Sequence, residues 1–505
     1  MCRSSSARQQ SGDDEEHLSR FPRIVDSLRQ RSGRQRLGAV CVLCAAMAMA
    51  LPAQTFTTLF TFDGRNGLSP LGALVNGANG DGYGTTYGGG ASGHGTIFKI
   101  TPNGRLTTLY SFCSESGCTD GANPYGGLVQ SANGDLYGTT YQGGAACDCG
   151  TVFKITQAGT LTTLHSFAVT DGAYPYAALV LATNGYLYGT TEYGGAYCAP
   201  TGCGTVFKIS PDGALTTLHS FCSESGCRDG EHPYAGLVQA TNLDGYGTTT
   251  GGGATGHGTV FRITGAGALT TLYSFTGGTD GGDPVAGLVQ ATNGNFYGTT
   301  EYGGAGACAP VGCGTVFEIT PNGTLTTLYS FCFERGCQDG ESPGADLIQA
   351  TDGNLYGTTN LGGASEVGTV FKITPGGTLT TLYSFTAGPG GGNPVAGLVQ
   401  ATNGDFYGTA EDGASDDGII FSLSVGLGPF VTTLPTSGDV GSPITILGSD
   451  LTGATSVSFN GTPAVFDVVS ATEITTTVPS GATTGTVQVA TQSGTLSSNV
   501  PFRVQ

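Results

Sequence analysis

Thr-Thr-Leu begins at Thr57, Thr107, Thr162, Thr216, Thr270, Thr326 and Thr380, at spacings of 50, 55, 54, 54, 56 and 54 residues. Self-similarity at this period restricts a chain to stacked or radial arrays, in which each unit buries its apolar face against its neighbours. Each period holds four short apolar runs, which between 269 and 320 read "LTTLYSF", "AGLVQAT", "NFYGTTE" and "GTVFEIT". They are rich in Val, Leu, Phe, Tyr and Thr, which suit a pleated and half-buried surface, and Gly, Pro and Asn punctuate them as turns. Four strands per unit and seven units predict an all-β fold, a seven-bladed β-propeller. An open solenoid is the rival arrangement, and hairpins with unpaired ends suit it poorly.

Turn chemistry sets the order of strands within a unit. Asn293-Gly294 and Pro321-Asn322-Gly323 are tight hairpin signals, because Gly and Asn tolerate positive φ. The connections after "LYSF" and after "YGTT" are longer and more variable. "GLVQ" is therefore expected innermost, "LYGTT" second, "TVFKI" third and "LTTLYSF" outermost, with both long loops on one face and both tight turns on the other. The repeats begin with an outer strand, "TFTTLFTF" (55–62), and end after a third strand, "GIIFSLS" (418–424). The first strand is expected to complete the last sheet, closing the ring and removing exposed sheet edges.

The recurring core "GLVQATNGNFYGTTEYGGA...GTVFEITPNGTLTTLYSF" resembles the GloVer tandem-repeat family of bacterial exported proteins over about 55–425. That resemblance implies an extracellular repeat protein attached to the cell by a separate anchor, and it implies no known catalytic activity. After the Gly-rich joint "SVGLGPF", the motifs "PTSGDVGSPITILG", "VSFNG" and "VPSGATTGTVQV" are similar to an IPT/TIG domain. This implies an immunoglobulin-like sandwich, in keeping with its closely spaced, alternating strands. In exported bacterial proteins such a module implies a spacer or accessory binding role. The expected plan is a basic n-region and signal peptide (1–53), the propeller (54–425), a linker (426–430) and the immunoglobulin-like domain (431–505).

Composition narrows the partners. The net charge is −19, and the first 36 residues carry eight Arg against five acidic residues, so the remainder is near −22. Such a surface repels polyanions, and nucleic acid is not an expected partner. The apolar run "LGAVCVLCAAMAMA" (37–50) follows a basic stretch, is short for a membrane span, and ends in Ala48-Met49-Ala50, an A-x-A cleavage pattern. Export, to the medium or the cell surface, is expected. No later segment is apolar enough to span a bilayer, and a monomer is expected.

Twelve cysteines beyond the leader fall in the long loops. Five pairs share the spacing C-x4-C: Cys113/Cys118, Cys198/Cys203, Cys222/Cys227, Cys308/Cys313 and Cys332/Cys337. In an exported chain this reads as disulfides; the rival, metal binding, is poorly served by this spacing and by the scarcity of histidine nearby. Cys147 and Cys149 stand one residue apart, either bridging each other or exchanging with Cys113 and Cys118. No metal or other cofactor is expected.

For a ligand, the same face offers Asp-Gly at Asp63, Asp120, Asp171, Asp229, Asp280 and Asp339. These carboxylates either gather round the channel to hold Ca²⁺ or a cationic ligand, or each caps its own turn. Tyr125, Tyr176 and Tyr234 follow Pro at the start of inner strands, and Tyr193 and Tyr302 precede Gly-Gly; they either stack on a ligand or pack between blades. The candidate ligand-binding set is Asp120, Tyr125, Asp171, Tyr176, Asp229, Tyr234, Tyr193 and Tyr302. His94 and His257 lie three units apart, while His165 and His219 replace the tyrosine of "LYSF". No nucleophile, base and orienting group assemble into a catalytic set. The expectation is a non-catalytic scaffold binding an extracellular glycan or protein, with a carbohydrate-active enzyme or a matrix protein as alternatives.

Overall fold

The computed structural model describes residues 54–77, 79–306 and 312–505; the expected leader and Cys308 lie outside them. In the first unit, strands Val75–Asn76, Gly82–Thr86, Thr96–Ile100 and Leu106–Ser111 form one antiparallel sheet in that order. Five further sheets repeat the pattern within 129–166, 180–220, 238–274, 289–330 and 348–384. A seventh takes Val399–Gln400, Phe406–Ala410 and Ile419–Ser424 from one end of the array and Thr55–Thr61 from the other. There Thr55 faces Ser424 and Thr61 faces Ile419, antiparallel.

Packing between sheets is carried by one phenylalanine per unit. The Phe ending each "SF" is buried and meets a third-strand Phe of the following sheet: Phe112 on Phe153, Phe221 on Phe261 and Phe331 on Phe371, with ring centroids 5.2–5.3 Å apart. Such tilted and edge-on aromatic contacts add to the area they bury. Second-strand threonines tie the same sheets together, donating to the segment that leads into the next inner strand, from Thr85 to the Gly126 carbonyl (2.9 Å) and from Thr190 to the Ala235 carbonyl (2.8 Å). On the tight-turn side, glutamine carboxamides reach the preceding sheet, as where the Thr241 amide donates to Gln290 Oε1 (2.9 Å).

Inner strands are only two residues long, shorter than "GLVQ" suggests, because they converge. A Cβ on Gly72 would stand 2.8 Å from the Gly127 nitrogen, and one on Gly126 would stand 2.5 Å from the Ala177 carbonyl carbon. Small residues at these places let the backbones approach.

Residues 431–505 form two four-stranded sheets round Val431, Ile444, Ile446, Val457, Phe459, Ile474, Val487, Val489 and Phe502. This module packs on the tight-turn face. The Phe430 amide donates to the Thr402 carbonyl (2.9 Å), Thr402 Oγ1 meets Ser449 Oγ (3.1 Å), and Arg503 reaches the Ala240 carbonyl (3.5 Å). None of these contacts, among the described residues, involves the long loops.

Candidate functional site

The long loops deliver the chain to each inner strand through a residue held in left-handed conformation just before proline. These are Ser69, Asn123, Tyr174, His232, Asp283, Ser342 and Asn393, with φ between 51° and 57°. A non-glycine residue there is uncommon and carries local strain. Each is fixed by its own amide, which donates to the preceding unit's loop, as from His232 to the Cys203 carbonyl (2.9 Å) and from Asp283 to the His257 carbonyl (3.0 Å). A constant backbone thus presents seven positions carrying five kinds of side chain, on a scaffold suited to recognition.

Inside this rim lies a cavity of about 660 Å³, lined at the residue after proline by Leu71, Tyr125, Tyr176, Tyr234, Val285, Gly344 and Val395. Equivalent positions are therefore aromatic in three consecutive units and aliphatic or absent in the other four. Tyr176 packs against both Tyr125 and Tyr234, ring centroids 3.5 Å apart in each case. Burial pushes the Tyr125 hydroxyl up to about 12 and raises that of Tyr234 as well, so both rings stay neutral at ordinary pH.

Carboxyls line the cavity as well, Glu192 from Tyr176's own unit and Asp346 from three units further on. Glu192, Asp283, Glu301 and Asp346 line the cavity, and no Lys, Arg or His is among its lining residues. Burial raises all four carboxyls above their ordinary values; His257, 3.8 Å from Asp283, partly opposes this for Asp283. Asp346 breaks the repeat most sharply. Its place holds Ala73, Gly127, Ala178, Gly236, Gly287 and Gly397 elsewhere. Asp346 is exposed to the channel's water while the converging walls crowd its carboxyl, and Oδ1 accepts the Gly287 amide at 2.6 Å.

Of the residues expected from sequence, Tyr125, Tyr176 and Tyr234 come together at this cavity. Tyr193 lies on the rim against His232, centroids 4.9 Å apart, and Tyr302 is partly exposed beside Glu301. Asp120, Asp171 and Asp229 are not brought to the channel. The Asp120 carboxylate accepts Tyr110 Oη (2.8 Å), Ser114 Oγ (2.9 Å) and the Ser114 amide (2.9 Å). His165 and His219 take the tyrosine's role, each with Nε2 3.0 Å from Asp171 or Asp229. Each aspartate therefore ties its loop to the outermost strand, with its oxygens already engaged. Asp346, Asp283 and His232 were not singled out from the sequence, although comparing equivalent positions between units exposes all three.

Disulfides staple these loops: Cys113–Cys118, Cys147–Cys149, Cys198–Cys203, Cys222–Cys227 and Cys332–Cys337. Cys313 is also disulfide-bonded. The Cys332–Cys337 loop carries Phe333, 80% exposed, where two other stapled loops carry Ser114 and Ser223.

Comparison with known families agrees with this architecture. The Gloeobacter/Verrucomicrobia repeat matches residues 44–244 and again 244–462. The chain belongs to the Gloeobacter/Verrucomicrobia repeat family. Residues 429–504 of this repeat protein match the IPT/TIG domain. No curated protein matches it. Among solved structures, it is similar to a fungal alcohol oxidase of the AA5 family in complex with copper, at 12% identity over 89% of this chain and 98% of that one, TM-score 0.49. It is also similar to the periplasmic gluconolactonase of Pseudomonas aeruginosa (18% identity, 69% and 97% covered, TM-score 0.43). A third likeness is to a putative 6-phosphogluconolactonase from Bacteroides uniformis (18% identity, 61% and 83% covered, TM-score 0.41). Among the described residues, no helix is long and apolar enough to cross a membrane.

Proposed function

We propose that this repeat protein is an exported, seven-bladed β-propeller closed by Thr55–Thr61, and that it binds an extracellular glycan or protein at its stapled long-loop face. The observation that carries this reading is the convergence of Tyr125, Tyr176 and Tyr234 on one cavity, where the repeat's own symmetry gives no reason for aromatic rings. Structural positions recur in every unit; a site departs from the repeat. The IPT/TIG domain sits on the tight-turn face and acts as a spacer, leaving the ligand face accessible. Exposed Phe333 and the half-buried tyrosines supply the apolar and amphipathic surface that recognition of a protein or sugar uses.

A glycan array and an envelope extract, each probed with the full chain and with Tyr176→Val, test the reading. Selective retention that the variant loses supports it. Equal retention by both, or none by either, overturns it. A second reading, a carbohydrate-active enzyme, draws on Glu192 and Glu301, whose carboxyls are held above their ordinary range beside the cavity as a general acid requires. Turnover of any bound glycan, abolished by Glu192→Gln or Glu301→Gln, would favour it.

A further inference from the structure

The cavity departs from the repeat in two ways at once, and the two departures are chemically complementary. Three contiguous tyrosine rings come from consecutive units, and Asp346, three units on from Tyr176, stands where the six other units carry Gly or Ala. A neutral sugar could stack on the rings and donate its hydroxyls to the acids, but it would leave their charge uncompensated. A bare metal ion would need six to eight oxygen ligands close together, which a cavity half aromatic and aliphatic does not offer. An organic cation uses both, its charge attracted by the ring faces and by the carboxylates.

Resting on the binding role proposed above, we propose that the cavity is a receptor for an alkylammonium group, held between the Tyr125, Tyr176 and Tyr234 wall and the Asp346 carboxylate. Such a group is offered by a free quaternary or primary amine, or by a lysine side chain of a partner protein. Among the described residues, no basic residue lines the cavity, and of its carboxyls Asp283 and Glu192 have His257 and His232 beside them whereas Asp346 has no basic neighbour.

The test is calorimetric titration of the full chain with choline, with its neutral isostere 3,3-dimethyl-1-butanol, and with a lysine hexapeptide and its norleucine twin. Asp346→Gly and Tyr176→Val install residues that other units already carry at those positions, so both variants are expected to fold, as checked by circular dichroism. We expect choline to bind at least tenfold more tightly than the isostere, and each variant to weaken choline at least tenfold. Preference for the lysine peptide over its twin assigns the cation to a protein partner, and choline binding without that preference assigns it to a free amine. Equal binding of choline and isostere, binding unaltered in both variants, or displacement of choline by equimolar CaCl₂ overturns the proposal. If choline fails to bind but envelope material is still retained in a Tyr176-dependent manner, the binding role stands and the alkylammonium assignment falls.

Discussion

Phe62, which lies just beyond the first strand of the chain, packs edge-on against Phe98 in the first complete sheet, ring centroids 5.5 Å apart and planes 64° to one another. The same contact joins Phe112 to Phe153 and Phe385 to Phe421, so the segment from the start of the array performs for the last sheet what each outer strand performs elsewhere. Phe62 is buried, and its loss would leave a cavity at the one junction where chain continuity gives no help. Phe62→Ala should cost about 3–5 kcal/mol, as large-to-small changes in aromatic cores do. Deleting 54–63 should lower the melting temperature further and expose the edge of Ile419–Ser424, favouring association. Thermal denaturation with size-exclusion chromatography checks both; an unchanged melting temperature in the truncated chain would count against closure.

The stapled loops give a second expectation. Each C-x4-C bridge closes a short loop, for which the chain-entropy estimate is about 2 kcal/mol. Replacing Cys113 and Cys118 together by Ser should reduce stability by that order while leaving the sheets intact. Alkylation without reductant, followed by peptide mass mapping, should leave Cys113, Cys118, Cys147, Cys149, Cys222 and Cys227 unmodified.

Asp229 illustrates why the array was legible in the sequence while only the tyrosine part of its site was. Asp-Gly recurs in nearly every unit, and what recurs is structural. Burial raises the Asp229 carboxyl, but hydrogen bonds from Ser223, His219 and the Glu224 and Ser223 amides outweigh it, leaving the group below its ordinary value of 3.8. Strand order was equally legible, because Asn-Gly turns and apolar runs act locally. The channel depends on which side chains meet at the convergence of seven inner strands, and no local pattern reports that. Asp346 stands in "GADLIQ" where "VAGLVQ" is the rule, a one-residue departure visible only when units are compared position by position.

A depressed carboxyl contributes stability above its unfolded value that is lost as pH falls through its folded value. Asp229→Asn should therefore lower the melting temperature at pH 7, and the deficit should shrink as the pH is taken below about 4, the ordinary range of an aspartate. A deficit independent of pH would mean that the Ser223 and His219 contacts act by shape alone.

Asp346 should behave in the opposite sense. Its carboxyl is raised by burial, so between its ordinary value of 3.8 and its higher folded value the native state binds more protons than the unfolded chain. Stability then falls as pH rises through that window, and the ionised group remains a cost at neutral pH. Asp346→Asn keeps the shape and the acceptor for the Gly287 amide while removing the charge. It should raise the melting temperature at pH 7, and the gain should vanish by pH 3, where the wild-type group is protonated in both states. That gain, once measured, would show an acid that six of seven units avoid kept at a cost in stability, as residues retained for binding are. Saturating choline should accordingly stabilise the wild type more than Asp346→Asn, narrowing the gap between them at pH 7; a gap that choline leaves unchanged would separate the stability cost from any role in recognition.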